Sequence, residues 1–173
     1  MIIAPAEPAD AAELGRVHVL AWREAYPGIV PAAILDALDP TERATMWTRV
    51  LADGQAVWLG RDPAGAIHGF TAAGLQREPE ILPFTGEIYA VYLLRTAQRQ
   101  GLGRRLMAQA ARQLLAEGHD NASLWVLDGN APAIAFYTAL AGRIARQRPL
   151  PARRDWPGSD TAYAWDDLRS VLD

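Results

Sequence analysis

The chain has 173 residues, half of them apolar, and a formal net charge of −3, which suits one domain with its own core and gives no electrostatic reason to hold nucleic acid. No apolar run approaches the roughly 20 residues of a membrane span, and no basic flank precedes an apolar stretch at the start, so a soluble cytoplasmic protein without a membrane partner is expected. There is no cysteine, and all 17 basic residues are arginine, which excludes thiol nucleophiles, disulfides, thiolate zinc sites, Schiff bases and lysine general bases.

In chain order, Met1 to Ala4 reads as a first strand. Asp10 and Glu13 have the spacing of a capping box, and Leu14, Val17, His18, Ala21, Trp22 and Ala25 follow at helical spacing until Pro27-Gly28. Ile29 to Leu38 reads as a short helix entered through Pro31. Asp39, Pro40 and Glu42 then start a third helix, whose face is Met46, Trp47, Val50 and Leu51. Gln55 to Arg61 and Ala66 to Gln76 flank the turn sequence Asp62-Pro63-Ala64-Gly65 and read as a β-hairpin. Arg77 to Thr85 is a polar loop. His18, His68 and His119 are scattered singly, so no metal site is expected.

The stretch Glu87 to Leu114 organises the rest. Glu87 to Leu93 is β-branched, aromatic or apolar after its acidic start, which predicts a strand largely buried on both faces. Leu102, Leu106, Met107, Ala110 and Leu114 lie at the spacing of one helical face. Between strand and helix runs Gln98-Arg99-Gln100-Gly101-Leu102-Gly103-Arg104. Two glycines within three positions of a helix start are costly, and close approach of backbone to an anion explains them. A helix start offers N–H groups without partners and a positive dipole end. The other reading of the glycines alone is a tight strand-to-helix turn. A Walker loop would need lysine where Arg104 stands, and a dinucleotide fingerprint would need glycine at Leu106.

After Glu117-Gly118, Asn121 to Leu127 reads as a strand and Ala131 to Leu140 as a helix capped by Asn130, with Pro132 in its first turn. Gly142 to Arg148 is a strand, Pro149 to Gly158 a loop, and Asp160 to Trp165 a last strand. No linker, repeat or second domain is evident, so residues 1–173 are expected to form one domain.

The Gln/Arg-x-x-Gly-x-Gly pattern after a hydrophobic strand resembles the acetyl-CoA motif of the GNAT superfamily of N-acetyltransferases. Asn130, Phe136, Tyr137, Leu140 and Gly142 resemble the family's second motif, with Ala141 inserted before the glycine. The element order is similar to the GNAT fold over essentially the whole chain. That fold is an α/β (α+β) single domain, a mixed and mostly antiparallel sheet of about seven strands with helices on both faces. The resemblance implies acetyl-CoA as acyl donor, with no metal, and a small-molecule, peptide or protein amine as acceptor; a homodimer stays open. It implies cofactor contacts from Val91, Leu93, Arg99, Gln100, Gly101, Leu102, Gly103, Arg104, Asn130 and Tyr137.

Transfer of an acyl group from a thioester to an amine needs a neutral amine, a donor to the oxyanion, and a proton for the departing thiolate. By the resemblance, Glu87 is the base and the N–H of Leu93 holds the carbonyl; a solvated strand end is the other reading of Glu87. Tyr137, with a reference pKa of about 10 against roughly 8.5 for a thiol, is the acid candidate, though by itself it also fits a core tyrosine. The acceptor pocket implied by the family draws on the first two helices, where Trp22, Tyr26 and Trp47 lie, with Trp125 on a neighbouring strand. Arg143, Arg146, Arg148, Arg153 and Arg154 read as a solvated face, and secondarily as help for phosphates or an acidic acceptor. The expected activity is direct acetyl transfer in a ternary complex. A non-catalytic acyl-CoA sensor of the same fold is the alternative.

Overall fold

The computed structural model describes residues 1–150 and 156–172. Seven strands form one sheet: β1 (Ile2–Pro5), β2 (Val57–Arg61), β3 (Ile67–Leu75), β4 (Gly86–Leu93), β5 (Ala122–Leu127), β6 (Arg143–Pro149) and β7 (Ser159–Trp165). Their order is β1-β2-β3-β4-β5-β7-β6, and every neighbouring pair is antiparallel except β4 with β5. The helices are α1 (Ala11–Ala25), α2 (Ala32–Asp36), α3 (Pro40–Ala52), α4 (Leu102–Ala116) and α5 (Ala131–Ala139). Among the described residues the elements fall where the sequence places them, to within a few residues at each end; residues 151–155 of the loop expected from Pro149 to Gly158 lie outside the described residues.

Each sheet face is covered by helices that turn apolar residues toward it, α1, α3 and α4 each through one apolar stripe. Leu14 and Val17 of α1 and Trp47 of α3 pack on Val57, Leu59 and Phe70. On the other face, Met107, Ala110 and Leu114 of α4, Tyr137 of α5 and Leu140 just after it pack on Ile88, Leu124, Val126 and Trp165. The mixed, largely antiparallel sheet with helices on both sides is the expected architecture.

Two local readings are corrected. Asp10 does not cap α1 with Glu13. Its carboxylate accepts the N–H of Glu7 and pairs with Arg61, while Glu13 accepts the N–H of Ile67 from β3. An unpaired strand N–H outcompetes the local box. The second correction concerns β4, which is buried only at Gly86, Glu87 and Ile88 and half-buried from Tyr89 to Leu93. That half lines a cleft.

His18 shows what burial does to a titratable group in this core. It is 8 % exposed, and its Nδ1 accepts the indole N–H of Trp47 at 3.2 Å. Burial, aided by the positive charge of Arg43, lowers its pKa to about 4. Unfolded, the same ring titrates near 6.5, so between these values the unfolded chain holds more protons and stability falls as pH falls. The expected loss from this group is about 3 kcal/mol between pH 7 and pH 4. Urea melts of wild type and His18→Gln across that range test it. The variant keeps an acceptor for Trp47 and should lose this part of the slope; equal slopes would show that His18 is not responsible.

Candidate active site

The cleft arises from how β4 and β5 pair. Their parallel register holds only at Gly86–Ala122 and Glu87–Ser123, after which the strands part. A bulge between Ala72/Ala73 of β3 and the facing stretch of β4 accommodates an extra β4 residue at this point. Beyond it, the N–H of Leu94 bonds the carbonyl of His68 on the β3 side. Alternation along the strand therefore turns the N–H groups of Val91 and Leu93 toward the parted β5 side, where no strand meets them. A hollow of about 560 Å³ fills the gap.

Its walls contain Tyr26, Val91, Tyr92, Leu93, Arg99, Gly101, Gly103, Arg104, Trp125, Asn130, Phe136 and Tyr137. At one end lies the start of α4. No side chain caps this helix, so the N–H groups of its first turn remain open by helix geometry. Gly101, its N-cap, has φ +79°, and Arg99 has φ +60°. A Cβ on Gly101 would meet nothing within 4 Å, so conformation rather than crowding demands glycine there. A Cβ on Gly103 would lie 3.2 Å from the ring of Phe136. Glycine at 103 thus lets α5 close against α4 as well as leaving the cleft floor open.

On the α5 wall, Tyr137 is 7 % exposed, and among the described residues its hydroxyl takes no hydrogen bond. Burial, with a smaller contribution from Tyr92, pushes its phenol well above the usual value. The hydroxyls of Tyr26 and Tyr92 lie 3.4 Å apart. Tyr92 stacks on His18 at 5.3 Å, and Trp22 packs edge-on against Tyr26 at 4.9 Å. Asn130 caps α5 by accepting the N–H of Ala133 at 3.2 Å. The insertion before Gly142 has a clear structural role. Ala141 takes the left-handed position at φ +59° and closes the helix with Gly142, whose missing Cβ makes room for Trp165.

Several expected residues stand outside the hollow. The Leu102 side chain is buried with Ala97 and Leu106, so only its backbone N–H belongs to the loop surface. The Gln100 side chain donates to the carbonyl of Thr96 at 2.7 Å. Trp22 supports Tyr26 from behind. Glu87 is 3 % exposed, and its carboxylate accepts three N–H groups of Arg77 at 2.7–3.1 Å, one of them backbone. It does not line the cleft, and this placement does not support the base role. Arg143 pairs with Asp166, Arg146 donates to the carbonyl of Glu80, and Arg148 pairs with Glu78, Glu80 and Asp160. This part of the basic run is engaged on the protein itself. Arg153 and Arg154 lie outside the described residues.

Tyr92, Gln98 and Phe136 line the hollow without having been singled out as contacts. Strand alternation alone assigns Tyr92 a face, but the bulge changes which face that is. Gln98 opens the glycine motif, and its side chain donates to the carbonyl of Leu93 at 3.3 Å.

The model of the acetyltransferase (GNAT) family matches residues 17–142. An uncharacterised N-acetyltransferase of Bacillus subtilis, YuaI, is 37 % identical over 133 residues, 76 % of this chain and 74 % of that protein. Among solved structures, the fold is similar to yncA of Salmonella typhimurium, solved with its cofactor acetyl-CoA. That match has TM-score 0.72 and 20 % identity, covering 97 % of this chain and 94 % of the other. It is also similar to the PaiA N-acetyltransferase of Thermoplasma acidophilum in complex with coenzyme A. Here the TM-score is 0.71 and the identity 17 %, over 95 % of this chain and 98 % of the other.

Proposed function

The chain belongs to the GNAT acetyltransferase family, and from that premise we propose that it moves an acetyl group from acetyl-CoA to a primary amine directly, in a ternary complex. The observation that carries this reading is the gap between β4 and β5, open at a helix start whose N–H groups have no caps. A diphosphate suits the open N–H groups and positive dipole end of α4, and a narrow pantetheine arm suits the parted strands. The donor supplies the activated thioester; the protein supplies orientation and protons.

The N–H groups of Val91 and Leu93 face the gap and can receive a carbonyl oxygen that gains negative charge. Tyr137 lies across it with a protonated, unengaged hydroxyl. Its raised pKa makes it a weaker acid than a free phenol, but burial also raises the basicity of a thiolate leaving in the same apolar cleft. The two therefore stay close enough for proton transfer. A carboxylate saturated by Arg77 is poorly placed to collect the amine proton, and water at the open end of the cleft takes that part. Glu87→Gln should accordingly keep kcat within about threefold while lowering stability by about 1–3 kcal/mol, because a buried charged partner is lost. A hundredfold fall in kcat with an unchanged melt would restore Glu87 as the base.

Acceptors approach past Tyr26, Tyr92 and Trp125, and both small amines and peptide or protein amines remain in the class. Release of free coenzyme A with a panel of amines tests the function. Acetyl-CoA binding without release under any acceptor would instead identify a binding module of the same fold.

A further inference from the structure

The turn that follows α1 closes over the cleft. Tyr26 and Ile29 of this turn pack in one apolar cluster with Tyr92 of β4 and Leu127 of β5, so it crosses the gap where the two strands part. Its far side is seated on Gly129, just after β5, where a Cβ would lie 3.0 Å from the Ile29 side chain. Gly129 does not have a positive φ, so the close approach of Ile29, and not backbone conformation, accounts for a glycine at this place. From this geometry we propose that the turn is a fixed bridge over the acceptor end of the cleft, which admits a small primary amine with an uncharged, flat apolar body and excludes the amines of polypeptides. The inference rests on the acetyl-transfer reading above and names the class of acceptor for it.

Rigidity is the first argument. The N–H groups of Ile29 and Val30 both donate to the Tyr26 carbonyl at 3.0 Å, and Val30 is buried. Beyond the turn, the Arg23 guanidinium of α1 donates to the carbonyls of Leu35, Asp36 and Leu38 at 3.0–3.2 Å. These are carbonyls that the end of α2 leaves open, and the contacts tie α2 back to α1. A bridge held at both ends does not swing aside for a chain, so size limits what passes beneath it. The hollow below, of about 560 Å³, suits one drug-sized ligand, and the pantetheine arm claims part of it.

The chemistry of the walls is the second. Tyr26, Tyr92 and Trp125 all line the cleft. The rings of Tyr26 and Tyr92 stand at 78° with centroids 6.5 Å apart, so a flat body can lie on one ring and meet the edge of the other. The charged residues among the described lining are Glu24, Arg95, Arg99 and Arg104. The Glu24 carboxylate accepts the backbone N–H of Arg95 at 2.6 Å, and the Arg95 guanidinium donates to the Glu24 carbonyl at 3.0 Å. Arg99 and Arg104 flank the glycine loop. Among the described residues, no charged side chain is therefore set aside for an ion on the acceptor, and an ionic substituent there would be buried without a partner. In the transfer, the amine enters neutral and its nitrogen bonds to the acetyl carbon. The carbon–sulfur bond breaks, the nitrogen gives up one proton, and the departing thiolate takes one up.

Release of free coenzyme A with three acceptors tests this: 2-phenylethylamine, phenylalanine, and a hexapeptide that begins with phenylalanine. All three present the same ring and a primary amine; the second adds a carboxylate and the third a chain. In wild type, kcat/KM for 2-phenylethylamine should exceed that for either of the others by at least about 100-fold, the size of a buried charge without a partner or a body that does not fit. Ile29→Ala should cut the advantage over the hexapeptide by at least about tenfold and leave that over phenylalanine in place, because it opens the bridge without supplying a counter-charge. Gly129→Val, which pushes Ile29 off its seat, should act the same way, and melting curves report whether both variants fold. Comparable kcat/KM in wild type for 2-phenylethylamine and either other acceptor, or unchanged ratios in both folded variants, would overturn the proposal. Calorimetry with acetyl-CoA separates this from the reading beneath it. A donor that binds and is discharged best by the hexapeptide leaves acetyl transfer standing and removes the bridge; a donor that does not bind removes both.

Discussion

Tyr137→Phe lowers kcat by about 10²–10⁴-fold while acetyl-CoA affinity and the melting temperature stay near wild type; this is the expected result if the phenol protonates the departing thiolate. The substitution removes one oxygen and keeps the ring, which packs at 6.2 Å against both Tyr163 and Trp165. Because the hydroxyl takes no hydrogen bond among the described residues, its removal leaves no buried partner stranded. A purely packing role therefore predicts unchanged or slightly higher stability and unchanged turnover. Loss in kcat and kcat/KM together, with KM held, marks an interaction made only in the transition state. The raised pKa adds a second check. The phenol stays protonated throughout the neutral range, so wild-type kcat should show no alkaline fall from this group below about pH 10. Near-wild-type kcat in the variant would remove Tyr137 from the mechanism.

Gly103→Val should weaken acetyl-CoA binding by at least about 30-fold, the equivalent of roughly 2 kcal/mol of overpacking. A first carbon at this position already lies 3.2 Å from Phe136, and the branching methyls must either displace that ring or enter the cleft. Both narrow the approach to the N–H groups of α4. Gly103→Ala separates the two effects. One carbon requires the ring to give by only a few tenths of an ångström, so affinity should fall by less than about tenfold. Calorimetry with coenzyme A, alongside a thermal melt, reads both. Unchanged affinity in a folded Gly103→Val would mean that the anion lies elsewhere.

Much of the architecture was legible in the chain because it rests on local chemistry. Asp39 before Pro40 caps α3 by accepting the N–H of Thr41, a contact between near neighbours. Leu102, Leu106, Met107, Ala110 and Leu114 occupy one face of α4 whatever that helix packs against. The glycine loop and the Asn130 cap also depend on nearby backbone, so their place in the cleft follows their spacing. What failed was long-range. Glu13 has the spacing of a capping box, but a strand N–H 54 residues away claims it. Glu87 at the head of a strand reads equally as base or solvated end, until Arg77 is seen to fold back over it.

The sequence by itself determined the family and the element order, and it singled out the glycine loop and Tyr137, which line the cleft. These follow from residue types at fixed spacing, and spacing survives in one dimension. Only the tertiary structure decided that β4 and β5 pair for two residues and then part, and that the bulge carries Tyr92 to the face of α1 opposite Tyr26. It likewise decided that the arginines of α4 have no carboxylate partner among the described residues, while Arg143 and Arg148 of β6 are tied to carboxylates. The physical reason is common to all three. Which strand edge loses its partner, and which charge finds a counterion, depends on residues brought together from distant parts of the chain, and no local pattern encodes that meeting.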